Sequence, residues 1–386
     1  MSDLSPLGSF PFRRLFTPGP LMTTPSVKAA MLRDFGSRDT PFMQIIDEVR
    51  EALLAQAGVD KTTHFMVPLP GSGTFGLESV FRSVISSKRE VLVVSNGAYG
   101  DRLIRLAQTL GLSNCRLRFP ETSPFDLLSI SAMIGNRPTV SHLAFVHCET
   151  STGQVNNLVA VSRIARSLGL SVIVDAMSSF GGIPIDLGKL PVDWLITSPN
   201  KCLQGVPGCA LIIGKRSLLA DRHEPRSMAL NLWKYVTSLD TERQYPFTPP
   251  THVILALHQA LRELEEEGGP FKRYDRYMDN AVALFDGMEG LGFRALFSRR
   301  NVSPIISSFY YPASPLFSFT GFAEALRTRG FVIYPGKVTA LPSFRIGTIG
   351  ELRRTDIYDL LIAVAEVLRE QGLPVPLTSP RVPISE

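Results

Sequence analysis

Three short stretches of this chain carry residue types that could do chemistry. In LITSPNKCLQGVPG (195–208), Lys201 closes an apolar run and enters a glycine-rich loop. A lysine where a buried strand meets a tight loop is costly unless it is paired or used. VIVDAMSSFGG (172–182) ends an apolar run on Asp175, a carboxylate that must meet a cation or hydrogen-bond donors there. LPGSGTFGLESV (69–80) places Ser72, Gly73 and Thr74 ahead of helical sequence, so hydroxyls and backbone N–H groups can converge on an anion at a helix N-terminus. No Gly-Lys-Ser/Thr follows, so this is not a Walker loop. Taken singly, each stretch has a plain alternative: a solvated lysine, a helix cap or local salt bridge, a glycine-rich turn.

Their combination is more informative. Lys201 follows Asp175 by one strand, a connection and a second strand, which puts both at the same edge of a parallel sheet. An anion cup, a buried carboxylate and a desolvated amine are what pyridoxal 5'-phosphate requires. The cup takes the phosphate, the aspartate keeps the pyridine nitrogen protonated, and the lysine forms the Schiff base.

Elements able to hold these groups are visible in the pattern. Short apolar runs at 91–95, 143–147, 171–176, 194–198 and 209–214 read as buried strands, with helical segments such as GDRLIRLAQTLG and LVAVSRIARSLGL between them. Apolar strands alternating with helices predict an α/β fold with a mostly parallel central sheet, covered on both faces. DEVREALLAQAG is an amphipathic helix, and Thr24 is an N-cap before Pro25. The acidic helix ending at the glycine pair near residue 269 suggests a boundary. The expected division is an N-terminal segment (1–20), a large domain (21–269), a smaller α+β C-terminal domain (270–372) and a proline-rich tail (373–386) with little to bury.

At 386 residues, 44% hydrophobic and 19% charged, the chain reads as globular. No apolar run is long enough for a bilayer, and the N-terminus does not read as a signal peptide, so no membrane association and a cytoplasmic location are expected. Cys115, Cys148, Cys202 and Cys209 form no CxxC pair, and the histidines form no HExxH, so reduced thiols and no metal are expected. A net charge of +5 without a basic block argues against nucleic acid and favours small anionic substrates.

FTPGPL, GSGTFGLES, VSNGAYGDR, VHCETSTG, VDAMSSFGG, NKCLQGVPG, FTPPTHVILALHQAL, FVIYPGK and FRIGTIG occur in that order over roughly residues 15 to 370. In these motifs the chain resembles the class V, fold-type I aminotransferases. Within them it resembles the branch that moves an amino group from 2-aminoethylphosphonate to pyruvate. The resemblance implies a pyridoxal-phosphate transferase fold of type I, with Lys201 as the cofactor-linked lysine and proton shuttle and Asp175 on the pyridinium nitrogen. Ser72, Gly73 and Thr74 would cradle the phosphate, Tyr99 would cover the ring, and Thr150 would bond near its hydroxyl. Thr251 would reach the cofactor phosphate of a neighbouring subunit, which implies a homodimer with shared sites. Arg345 would grip the substrate anion as a planar, charged fork.

Arg38, in DFGSRDTPF, departs from that branch, where tryptophan is more usual; it implies an extra cation beside the entrance. Rival readings are another class V transaminase such as the alanine–glyoxylate type, a cysteine desulfurase (for which Cys202 reads better as packing), a cofactor-binding sensor, and a cofactor-free Schiff-base aldolase that leaves the glycine cup unexplained.

Overall fold

A computed structural model describes residues 12–135, 137–220, 227–337 and 341–378. Seven strands form the main sheet: β1 (His64–Pro70), β2 (Glu90–Ser95), β3 (Ser113–Arg118), β4 (Val140–Val146), β5 (Ser171–Asp175), β6 (Trp194–Thr197) and β7 (Cys209–Lys215). Their order across the sheet is β1-β7-β6-β5-β4-β2-β3, and every neighbouring pair is parallel except the two that β7 makes. The parallel strands β2, β5 and β6 are buried almost throughout, as a sheet covered on both faces demands. The covering helices include α1 (Thr40–Gln56), α2 (Gly73–Val84), α3 (Ala98–Thr109) and α4 (Leu158–Ser167). Each turns an apolar stripe inward, for example Leu103, Ile104 and Ala107 on α3.

Helix α5 (Thr251–Glu266) ends just before α6 (Gly269–Gly290). Beyond it, β8 (Ile306–Tyr310), β9 (Tyr334–Pro335) and β10 (Ser343–Gly347) form an antiparallel sheet in the order β8-β10-β9. Packed with α7 (Arg354–Glu370), this sheet surrounds a second, aromatic-rich core that includes Phe293, Phe309, Phe322 and Phe344.

Both ends of the described chain are docked onto the second core. Arg14–Leu15 is a short strand parallel to Phe331–Val332, so the start of the described chain is tied to the second core. At the other end, Leu373 is buried and the Leu377 N–H donates to the Leu291 carbonyl at 2.9 Å. Two well-placed leucines suffice to dock the beginning of a tail whose proline content suggested little to bury; residues 379–386 lie outside the described residues. Thr24 does cap a helix (Pro25–Ala29), its hydroxyl accepting from the Val27 N–H at 3.2 Å.

Candidate active site

The carboxyl ends of β5 and β6 open into a cavity of about 450 Å³, within the usual range for small-ligand sites. Ser72, Gly73, Thr74, Tyr99, Thr150, Asp175 and Lys201 all line it. Seven of the nine residues singled out in the sequence therefore meet in one place. Arg345 stands behind that lining, and Thr251 lies outside it.

Asp175 is the last residue of β5 and is buried. Its Oδ1 accepts from the Met177 N–H at 3.0 Å, and its Oδ2 lies 3.4 Å from Arg102 Nη2. Burial raises its pKa and outweighs the opposing pull of Arg102, the Met177 amide and Lys201. A buried acid held by one long ion pair and one amide can accept a further donor.

Lys201 sits in the loop after β6, and its Nζ donates to the Pro18 and Gly19 carbonyls, each at 3.0 Å. Burial lowers its pKa, which favours the neutral amine that a nucleophile or base must be. The TPGP segment thus has a function that its sequence did not reveal. Gly19 has φ +110°, and a Cβ there would meet Lys201 Cδ at 2.5 Å and Nζ at 2.7 Å. Only glycine leaves this room.

Ser72 is the N-cap residue of α2, yet its hydroxyl makes no capping bond, so it is available to a ligand. With Gly73, Thr74 and the positive end of a twelve-residue helix, it forms an anion cradle. A Cβ on Gly73 would strike Met177 Sδ at 2.3 Å, and Met177 is also the residue whose amide holds Asp175. These donors, the under-paired carboxylate and the desolvated amine fit the phosphate, ring nitrogen and aldehyde of pyridoxal phosphate.

Three residues missed as site members complete the arrangement. Glu149 is buried and accepts from the N–H groups of Tyr99 (3.1 Å), Gly100 (3.0 Å) and Ser151 (3.2 Å), fixing the start of α3. Burial raises its pKa despite those bonds. The signal was the one that flagged Asp175, a carboxylate at the end of an apolar run. Arg102 lies one turn after Tyr99 on α3; its guanidinium stands 4.8 Å over the Tyr99 ring, and its buried Nε has no hydrogen-bond partner. Lys337, the last residue of FVIYPGK, places Nζ 3.4 Å from the Tyr99 hydroxyl. For Tyr99, burial pushes the phenol up, but Lys337, Lys201 and the Thr150 hydroxyl together bring it below its ordinary value.

Arg345, on β10, is buried; its Nε donates to the Pro335 carbonyl at 3.0 Å and its Nη1 to the Thr150 carbonyl at 2.6 Å. Burial draws the guanidinium below its ordinary value, although an arginine remains charged. Thr251 begins α5, its hydroxyl 3.5 Å from His252 Nδ1. Two residues on, Val253 packs against Gly208 of the cavity lining. Arg38 is exposed and outside the cavity lining. Cys202 is buried with its thiol on the Ser178 carbonyl, a packing role as read from the sequence. His147 is buried and pushed down to about 4, so it is neutral at physiological pH.

Among the described residues no three His, Cys, Asp or Glu side chains converge on a metal position, and no helix is long and apolar enough to cross a membrane. The family model for class-V aminotransferases matches residues 25–352. A 2-aminoethylphosphonate–pyruvate transaminase of Aeromonas hydrophila is 44% identical over 93% of this chain and 96% of its own. Its counterpart from Syntrophobacter fumaroxidans is 43% identical over 93% and 97%. Among solved structures, ureidoglycine–glyoxylate aminotransferase from Bacillus subtilis superposes with a TM-score of 0.88 at 25% identity, covering 95% of both chains. Pyridoxamine–pyruvate aminotransferase from Mesorhizobium loti gives 0.87 at 24% identity over 95% of each, a likeness of fold. Cavity, donor set and kinship agree: this chain belongs to the class V aminotransferases, enzymes that work with pyridoxal phosphate.

Proposed function

We propose that the enzyme transfers the amino group of 2-aminoethylphosphonate to pyruvate, releasing phosphonoacetaldehyde and L-alanine. The observation that carries amino transfer is the meeting of Asp175, Lys201 and the α2 cradle in one cavity. The choice of donor and acceptor rests on the relatives' named activity. When bound, pyridoxal phosphate supplies an aldehyde that bonds amines and a ring that takes up the electron pair of the carbon beside nitrogen.

The chain's own residues supply the rest. Ser72, Gly73 and Thr74 hold the phosphate, with helix dipole and hydroxyls acting together. With the cofactor bound, Asp175 would keep the proton on the ring nitrogen, Tyr99 would cover a ring face, and Thr150 would bond near the ring hydroxyl. Lys201 Nζ, freed from the Pro18 and Gly19 carbonyls, takes a proton from the carbon bearing the donor nitrogen. It later delivers one to C2 of the alanine. Arg345, which stands behind the Tyr99 and Thr150 lining, would meet the anion of each substrate in turn, which accounts for both carrying one.

The active unit in this reading is a homodimer in which Thr251 of each subunit serves the other's phosphate cradle, as the resemblance to the class V aminotransferases implies; within one chain Thr251 lies outside the cavity lining, which leaves it available to a partner. A cytoplasmic location belongs to the same reading. Initial rates of alanine formation from pyruvate, with 2-aminoethylphosphonate, serine or other amines as donor, test the assignment. The phosphonate is expected to exceed the others by at least about a hundredfold in kcat/KM. Equal or better use of serine would overturn the donor assignment, and glyoxylate used in preference to pyruvate would point to the alanine–glyoxylate type.

A further inference from the structure

We infer that Lys337 and Arg345 form a two-cation clamp that selects a doubly charged phosphonate over a singly charged carboxylate at the donor end of the site. This rests on the functional reading above. The two cations belong to one rigid unit. Tyr334 and Pro335 pair with Arg345 and Phe344 across β9 and β10. Arg345 Nε is bonded to the Pro335 carbonyl at 3.0 Å, and the Gly336 N–H to the Ser343 carbonyl at 2.9 Å. A Cβ on Gly336 would lie 2.4 Å from that Ser343 oxygen, so glycine lets the turn close onto β10. Lys337 follows directly, and its position is therefore tied to that of Arg345.

Both cations converge on Tyr99. Lys337 Nζ stands 5.0 Å over the Tyr99 ring and 3.4 Å from its hydroxyl, and Arg345 interacts with the same phenol. Among the described residues no carboxylate pairs with either cation. Arg345 has Nε and Nη1 committed to carbonyls and also feels the Tyr99 phenol and the buried Glu149 carboxylate, so an anion would meet its remaining terminal nitrogen in exchange for the phenol. One arginine neutralises one charge, which suffices for a carboxylate. A phosphonate, like a phosphate monoester, loses its second proton near neutral pH and then carries two. Lys337 is exposed, so it stays hydrated when the site is empty, and its flexible stem can bring a point charge to the second oxyanion.

The test compares the holoenzyme with Lys337→Met and Lys337→Arg variants by calorimetric titration of ethylphosphonate and propionate, which lack the reacting amine. At about pH 8, Lys337→Met is expected to weaken ethylphosphonate by about tenfold and propionate by less than about threefold, and Lys337→Arg to restore most of the loss. Near pH 6 the gap should narrow as the phosphonate becomes singly charged. In turnover, KM for 2-aminoethylphosphonate should rise while kcat and KM for pyruvate stay within about threefold. Equal losses for both anions, or none, would overturn the clamp and leave Lys337 as a cation resting on an aromatic ring. Wild-type enzyme that shows the clamp's selectivity yet makes no alanine from aminoethylphosphonate would overturn the functional reading instead, so the two failures are separable.

Discussion

Asp175 and Asp193 are both acids buried in one sheet, at opposite ends of neighbouring strands, with only 2% of either side chain exposed. Asp193, just before β6, is bonded by Arg166, by Lys215 at 3.0 Å and by the Val172 N–H at 2.9 Å. Burial pushes its pKa up, but the Val172 amide and the two cations outweigh burial and hold it below the ordinary carboxylate range. Asp175 has one ion pair at 3.4 Å and one amide, and burial wins. A carboxylate whose role is structural is fully satisfied by its own chain. The one at the strand ends is left short of a partner, which a protonated ring nitrogen would supply.

Substitutions at five positions sharpen or break this contrast. Lys201→Ala should have the largest effect, lowering turnover by more than about 10³-fold and removing the near-visible absorbance of lysine-linked cofactor. Near wild-type rates in that variant would refute the site. The paired exchange Asp175→Asn and Asp193→Asn comes next. Asp175→Asn should cut kcat about 10²-fold or more while leaving apoenzyme stability unchanged or improved. Asp193→Asn should leave kcat nearly intact and cost about 2 kcal/mol in urea unfolding, discounted because Arg166 and Lys215 are partly exposed.

The pH dependence has opposite signs at the two sites. The depressed pKa of Asp193 contributes stability above the unfolded carboxylate value, about 3.9, that is lost as pH falls through the folded pKa. The raised pKa of Asp175 makes its ionised form a burden that sets in as pH rises from that value through the folded pKa. The advantage of Asp175→Asn in the apoenzyme should therefore grow as pH rises above about 4 and vanish below it. Arg102→Gln should weaken cofactor binding about tenfold in an absorbance titration, with Arg102→Lys in between. Cys202→Ala should change kcat least, within about threefold, since its buried thiol serves packing; a large loss would revive cysteine chemistry.

Asp175 and Lys201 were legible in the sequence because a charge at the end of an apolar run is costly, and cost is visible without coordinates. Arg102 was not, since one arginine on an amphipathic helix looks like any solvated residue until the fold sets it over Tyr99. Lys337 stood in a recognised motif with no role, because its partners Tyr99 and Arg345 are far away in the chain. The alternation of apolar strands and helices implied a mostly parallel sheet, but apolar strands carry no mark of direction. That β7 runs against both neighbours could not be read from CALIIGK.

The most direct test is the protonation state of the ring nitrogen, measured by nitrogen-15 NMR on enzyme reconstituted with labelled pyridoxal phosphate. In wild-type enzyme the nitrogen should remain protonated through about pH 8, and in Asp175→Asn it should lose its proton below neutrality. An unprotonated nitrogen in the wild type, or equal protonation in both proteins, would contradict the role given to Asp175.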